Sequence, residues 1–96
     1  MPCMNNDDLI QIARSCGGPF PRANITAEFI HSDNRSCLWR IKKDGIHYMI
    51  PEFYMEAPLS VLRDIIKGMV QIACYSSFAV LSDETKDWIS QAKGVA

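Results

Sequence analysis

The sequence predicts an α+β domain: a three-stranded antiparallel meander packed against a long central helix, in the order α-β-β-β-α-α. Three observations predict it. From Ala57 to Tyr75, apolar residues (Leu62, Ile65, Ile66, Met69, Val70, Ile72, Ala73) recur at three- and four-residue spacing, the pattern of one helix face. Around Ile25, Ala27 and Phe29, and again from Ser36 to Ile50, the period shortens to two, the pattern of half-buried strands. Between the second and third of those strands stands Asp44-Gly45, the dipeptide of a tight type I′ hairpin turn.

The elements follow in order. Asn5 or Asn6 caps a first helix whose opening turn carries Asp7 and Asp8 near the positive dipole end. Leu9, Ile12, Ala13 and Cys16 give it an apolar stripe, and Gly17 is placed to end it. Gly18-Pro19-Phe20-Pro21 is a stiff connection. In the first strand Ile25, Ala27 and Phe29 point one way and Asn24, Thr26 and Glu28 the other. His31 to Arg35 is a polar turn.

A turn at Asp44-Gly45 sets Lys42 opposite His47, Ile41 opposite Tyr48, Arg40 opposite Met49 and Trp39 opposite Ile50. One face then holds Trp39, Ile41, Tyr48 and Ile50, and the other holds Arg40, Lys42, His47 and Met49. Pro51 ends the third strand, and Phe53, Tyr54 and Met55 cover the open end of the core. Pro58 suits the first position of the long helix. Phe78 to Leu81 either continues that helix or forms an apolar connector. Ser82 caps a last helix, with Asp83 and Glu84 in its first turn and Trp88, Ile89 and Ala92 on its apolar side.

The chain of 96 residues holds one domain. Its hydrophobic content of 48% and charged content of 22% are those of a folded soluble protein, and its net charge of -1 argues against a binder that works by neutralising phosphates. The acidic start from Met1 to Asp8 is neither a signal nor a transit peptide, and the longest apolar run is broken by Arg63, Asp64 and Lys67. A cytoplasmic location is expected. Cys3, Cys16, Cys37 and Cys74 form no C-x-x-C pair, so neither a zinc knuckle nor a thioredoxin motif is written here.

Three constellations could carry chemistry. His31, Ser32 and Asp33 with Cys37 match no zinc spacing, and no metal or cofactor is expected. His47 could serve as a general base oriented by Glu28 across the sheet, but nothing marks a nucleophile or an oxyanion hole, so no catalytic residue is assigned. Cys37 shares the parity of Trp39 and Ile41 and should face the core. Arg35, Arg40, Lys42, Lys43 and His47 form a basic strip on the sheet face turned away from the helices, and Met49 stands exposed among them.

The segment from Ile46 to Ile72, His-Tyr-Met-Ile-Pro leading into Ala-Pro-Leu-Ser-Val-Leu-Arg-Asp-Ile-Ile, resembles one part of the SprT-type zincin metalloproteases. There a strand ends, an Ala-Pro element opens a helix, and that helix carries H-E-x-x-H. The corresponding window here is Gly68-Met69-Val70-Gln71-Ile72, which has neither the two imidazoles nor the carboxylate. The resemblance therefore implies a shortened, metal-free relative that is not a protease, and no functional residue carries over. Gly68 costs about 1 kcal/mol against alanine in mid-helix, which suggests a close backbone contact there.

The expected function is protein–protein interaction or self-association, non-enzymatic, through the exposed sheet face (Arg35, Arg40, Lys42, Lys43, His47, Met49) and an unpaired strand edge. The alternative is nucleic-acid binding through the same basic face. The aromatic residues that stack on single-stranded bases are missing from it, because Trp39 and Tyr48 point to the other side.

Overall fold

Asn5 caps the first helix. Its side chain accepts from the Asp8 N–H while the Asp8 carboxylate accepts from the Asn5 N–H, a reciprocal cap on helix α1 (Asn6–Ser15). The computed structural model describes residues 4–16, 19–32 and 36–95. Gly17 and the turn residues Asp33, Asn34 and Arg35 lie outside the described residues. A short 3-10 turn, Arg22–Asn24, leads into strand β1 (Ile25–Ile30), followed by β2 (Leu38–Lys42) and β3 (Gly45–Pro51). A second 3-10 turn, Glu52–Glu56, leads into α2 (Leu59–Tyr75), and α3 (Asp83–Val95) closes the chain. The chain is thus α+β with a three-stranded sheet, as its patterning predicts.

The meander is corrected. The spatial order is β1-β3-β2, with β1 parallel to β3 and β2 antiparallel to it. The reason lies in apolar content. β3 buries Ile46, Tyr48 and Ile50 almost completely, and its flanking Gly45 and Pro51 are buried too. β2 carries Arg40 and Lys42 and is exposed along most of its length. The strand with most to bury takes the centre, where it is covered on both edges. The crossover that a parallel pair requires is made by β2 and its two connections.

The hairpin register also differs, by two residues. Lys42 faces Gly45, Ile41 faces Ile46, Arg40 faces His47, Trp39 faces Tyr48 and Leu38 faces Met49. The turn is Lys43-Asp44, and neither residue has the positive φ that a type I′ turn needs. Gly45 is drawn into the strand by lack of space. A Cβ there would run into the backbone oxygen of Asn24, and Asn24 Nδ2 donates to the Asp44 carbonyl at 2.8 Å. A slip of two preserves the two faces, since side chains alternate with that period.

The helices cover one face of the sheet. Ile25, Ala27, Ile46, Tyr48 and Ile50 meet Leu9, Ile12 and Ala13 of α1 and Val61, Leu62, Ile65, Ile66 and Met69 of α2 in one core. Trp39 and Cys37 pack against its margin. Ile41 shares their parity but is half exposed, since it stands at the end of the edge strand away from the core. Ile72, expected on the apolar face of α2, is also largely exposed. Pro58 stands one position before the helix, as its N-cap.

Gly68 is buried, and a Cβ on it would lie 3.2 Å from the Ala79 Cβ and 3.6 Å from Leu81. The stretch after α2 is therefore a connector that lies against the helix. It alternates, with Ala79 and Leu81 turned to Gly68 while Phe78 and Val80 are 93% and 82% exposed. Ser76 turns the chain with a left-handed φ of 51°, and the Ser77 N–H reaches back to the Gln71 carbonyl. Ser82 then caps α3. Its Oγ accepts from the Thr85 N–H and its own N–H donates to Asp64 Oδ2 at 2.8 Å, while Thr85 is fully buried. Trp88 of α3 packs on Phe53 and Tyr54 at ring separations of 5.3 and 5.8 Å.

Two outcomes follow from these contacts. Gly45→Ala forces β3 or the Asn24 backbone to shift, so the urea midpoint should fall by an amount equal to about 1–3 kcal/mol, the usual cost of overpacking. Asp64 ties α3 to α2. Burial disfavours its charge, but hydrogen bonds from Ser82 and Thr85 and the nearby Lys67 outweigh burial and hold the carboxyl below its ordinary value of 3.8. A depressed carboxyl stabilises above its unfolded value and ceases to as pH falls through the folded one. The gap in melting temperature between the natural chain and Asp64→Ala should therefore be full at pH 7 and shrink in acid below about 4.

Candidate functional site

The face opposite the helices is built by parity. Thr26 and Glu28 of β1, His47 and Met49 of β3, and Leu38, Arg40 and Lys42 of β2 alternate with the core residues and so share the open face. Of the residues expected to form an interaction surface, Arg40, Lys42, His47 and Met49 are brought together here. Lys43 sits in the adjoining turn, and Arg35 lies outside the described residues. Cys37 faces the core side, as its parity requires.

The parallel register sets Thr26 beside His47, and the antiparallel one sets Arg40 on its other side. A hydroxyl, an imidazole and a guanidinium therefore cross the sheet in one row. His47 Nε2 lies 2.6 Å from Glu28 Oε2, and Nδ1 lies 2.7 Å from Thr26 Oγ1. The carboxylate can only accept, so Nε2 carries a proton and donates to it. In the neutral ring Nδ1 then accepts from the Thr26 hydroxyl. Glu28 as the partner of His47 was legible in the sequence. Thr26 was not, and the expected meander would have separated both it and Glu28 from His47.

The order hydroxyl–imidazole–carboxylate is that of an activated nucleophile. The surroundings do not complete it. Thr26 and His47 stand within their strands, where their backbone groups serve the ladder, and the His47 side chain is partly buried. The Glu28 side chain at the end of the relay is about half exposed, so water reaches it. Chemically, the network fixes the imidazole and occupies the Glu28 carboxylate. Beside it, near the turn, lies a shallow cleft of about 430 Å³ lined by Asn24, Thr26, Lys42, Lys43 and Asp44 among others.

The two edges of the sheet differ. α1 runs back along β1. Asn6 Oδ1 accepts from the Phe29 N–H at 2.9 Å, and Arg14 Nε donates to the Ile25 carbonyl at 3.1 Å. Both are outward groups of β1, so helix side chains occupy that edge on either side of the buried Ala27. On β2, Lys42 and Gly45 form the hydrogen-bonded pair that flanks a two-residue turn. Alternation then turns the N–H and C=O groups of Trp39 and Ile41 outward. Among the described residues nothing bonds to them.

The remaining candidates separate. His31 Nδ1 meets Glu52 Oε1 at 3.0 Å in an exposed pair, away from Cys37. Among the described residues no three His, Cys, Asp or Glu side chains converge as metal ligands, and no helix is long and apolar enough to cross a membrane. Burial pushes the Cys37 thiol up to about 11, against the smaller opposing pull of a hydrogen bond with Tyr54.

No family model matches the chain, and neither a curated protein nor a solved structure matches it.

Two measurements check this geometry. Thr26→Val leaves His47 Nδ1 without its donor and should lower stability by about 1 kcal/mol, while ring ¹⁵N shifts of the natural chain should show the Nε2–H tautomer. Burial raises the Cys37 pKa and shields its thiol, so site-resolved mass spectrometry should find it alkylated far more slowly in the folded chain than in urea.

Proposed function

We propose that this domain is a non-enzymatic protein-binding module that takes a partner along the β2 edge and the adjoining open face. The observation that carries the reading is the difference between the two edges. Asn6 and Arg14 occupy the β1 edge, whereas Trp39 and Ile41 turn free donors and acceptors outward on β2. An exposed edge of this kind is a template for one more strand, and main-chain hydrogen bonds supply affinity when a strand adds. Leu38 and Met49 lie side by side on the open face and give an added strand apolar surface to rest on. The carboxylate of Glu28 and the lack of aromatic rings on this face among the described residues favour a protein over a nucleic acid. The resemblance to zincins fits the same reading, as a relative without metal ligands in the Gly68–Ile72 window.

The test uses Ile41→Pro. The lost N–H points away from β3, so no ladder bond is lost and the strand is kept. Light scattering and affinity capture should show a self-associated or partner-bound natural chain, and Ile41→Pro should lose the partner with an unchanged circular dichroism spectrum. A strictly monomeric chain that retains nothing, or a partner held equally by Ile41→Pro, would remove the reading.

A further inference from the structure

We infer that the β2 edge selects an extended segment of another protein in which acidic and apolar side chains alternate; this rests on the strand-addition reading above. A residue opposite Arg40 or Lys42 on an added strand lies on the open face, beside those cations. Among the described residues neither cation has an acidic partner, and the nearby Glu28 is engaged by His47 at 2.6 Å. The position is therefore set for carboxylates. Residues opposite Trp39 and Ile41 fall on the other face. There Ile41 is 50% exposed beyond the reach of the helices, so an apolar neighbour would cover it. Acidic on one face and apolar on the other, with a period of two, is the complement of Trp39-Arg40-Ile41-Lys42.

Charge also argues against a second copy as the occupant. Antiparallel pairing of the whole of β2 with itself sets Arg40 directly opposite Arg40 and Lys42 opposite Leu38. Like charges in directly opposed positions repel, and cations on an edge strand are a known guard against self-pairing.

The experiment titrates the ¹⁵N-labelled chain with two capped seven-residue peptides, one alternating glutamate and valine and the other lysine and valine. The glutamate peptide should bind, slow amide exchange at Trp39 and Ile41 and leave Phe29 unchanged, and salt should weaken it. An exposed ion pair contributes a factor of about two to five in affinity. Arg40→Glu/Lys42→Glu, which also adds repulsion, should then weaken the glutamate peptide roughly tenfold or more and transfer preference to the lysine peptide. Equal binding of both peptides at β2 would overturn the charge selection and leave strand addition standing. Binding elsewhere, or none with either peptide, would overturn both.

Discussion

The fold depends on one constraint: β3 has to be covered on both edges and on one face. Ile46, Tyr48 and Ile50 are each 1% exposed or less, and such side chains are worth about 1.5–3 kcal/mol apiece when taken out of water. A meander would have left this strand at an edge. With β1 on one side and β2 on the other, the least polar strand lies innermost. Gly45 belongs to the same constraint. It lets the Asn24 backbone close over the start of β3, and so draws the turn back onto Lys43-Asp44.

That arrangement decides the character of the open face. Moving β1 beside β3 brings Thr26 to His47 and lets Glu28 reach the far ring nitrogen. The result has the order of a catalytic triad without its setting. The hydroxyl stands near the start of β1, and the carboxylate at the other end of the relay is about half exposed, so water reaches it. The network removes one carboxylate from the face and, among the described residues, leaves Arg40 and Lys42 without an acidic partner. The same rearrangement makes the two sheet edges unequal, because only β1 lies within reach of α1.

The helical layer is tied by small, specific contacts. Gly68 admits the connector, Asp64 holds the N-terminus of α3, and Trp88 rests on Phe53 and Tyr54. The first two join α2 to the segments that follow it, whereas Trp88 reaches back past α2 to the 3-10 turn before it. The connector carries its own asymmetry. Ala79 and Leu81 turn inward, so Phe78 and Val80 must turn outward, whatever their hydropathy.

The sequence by itself determined the elements, their faces and several of their ends. The Asn5 and Ser82 caps, the α2 stripe through Leu62, Ile65, Ile66 and Met69, and the parity that puts Trp39 and Cys37 toward the core are all local. They follow from helix and strand periods within a few residues. Only the tertiary structure decided which strand is central, which edge is occupied, where the hairpin turns and how far the core reaches. Those depend on contacts between residues far apart: Asn24 against Gly45, Asn6 and Arg14 along β1, Thr26 beside His47. A period of two is blind to a slip of two residues and to the order of strands. Burial at Ile41 and Ile72 is likewise set by where the helices end in space, and no spacing along the chain records that.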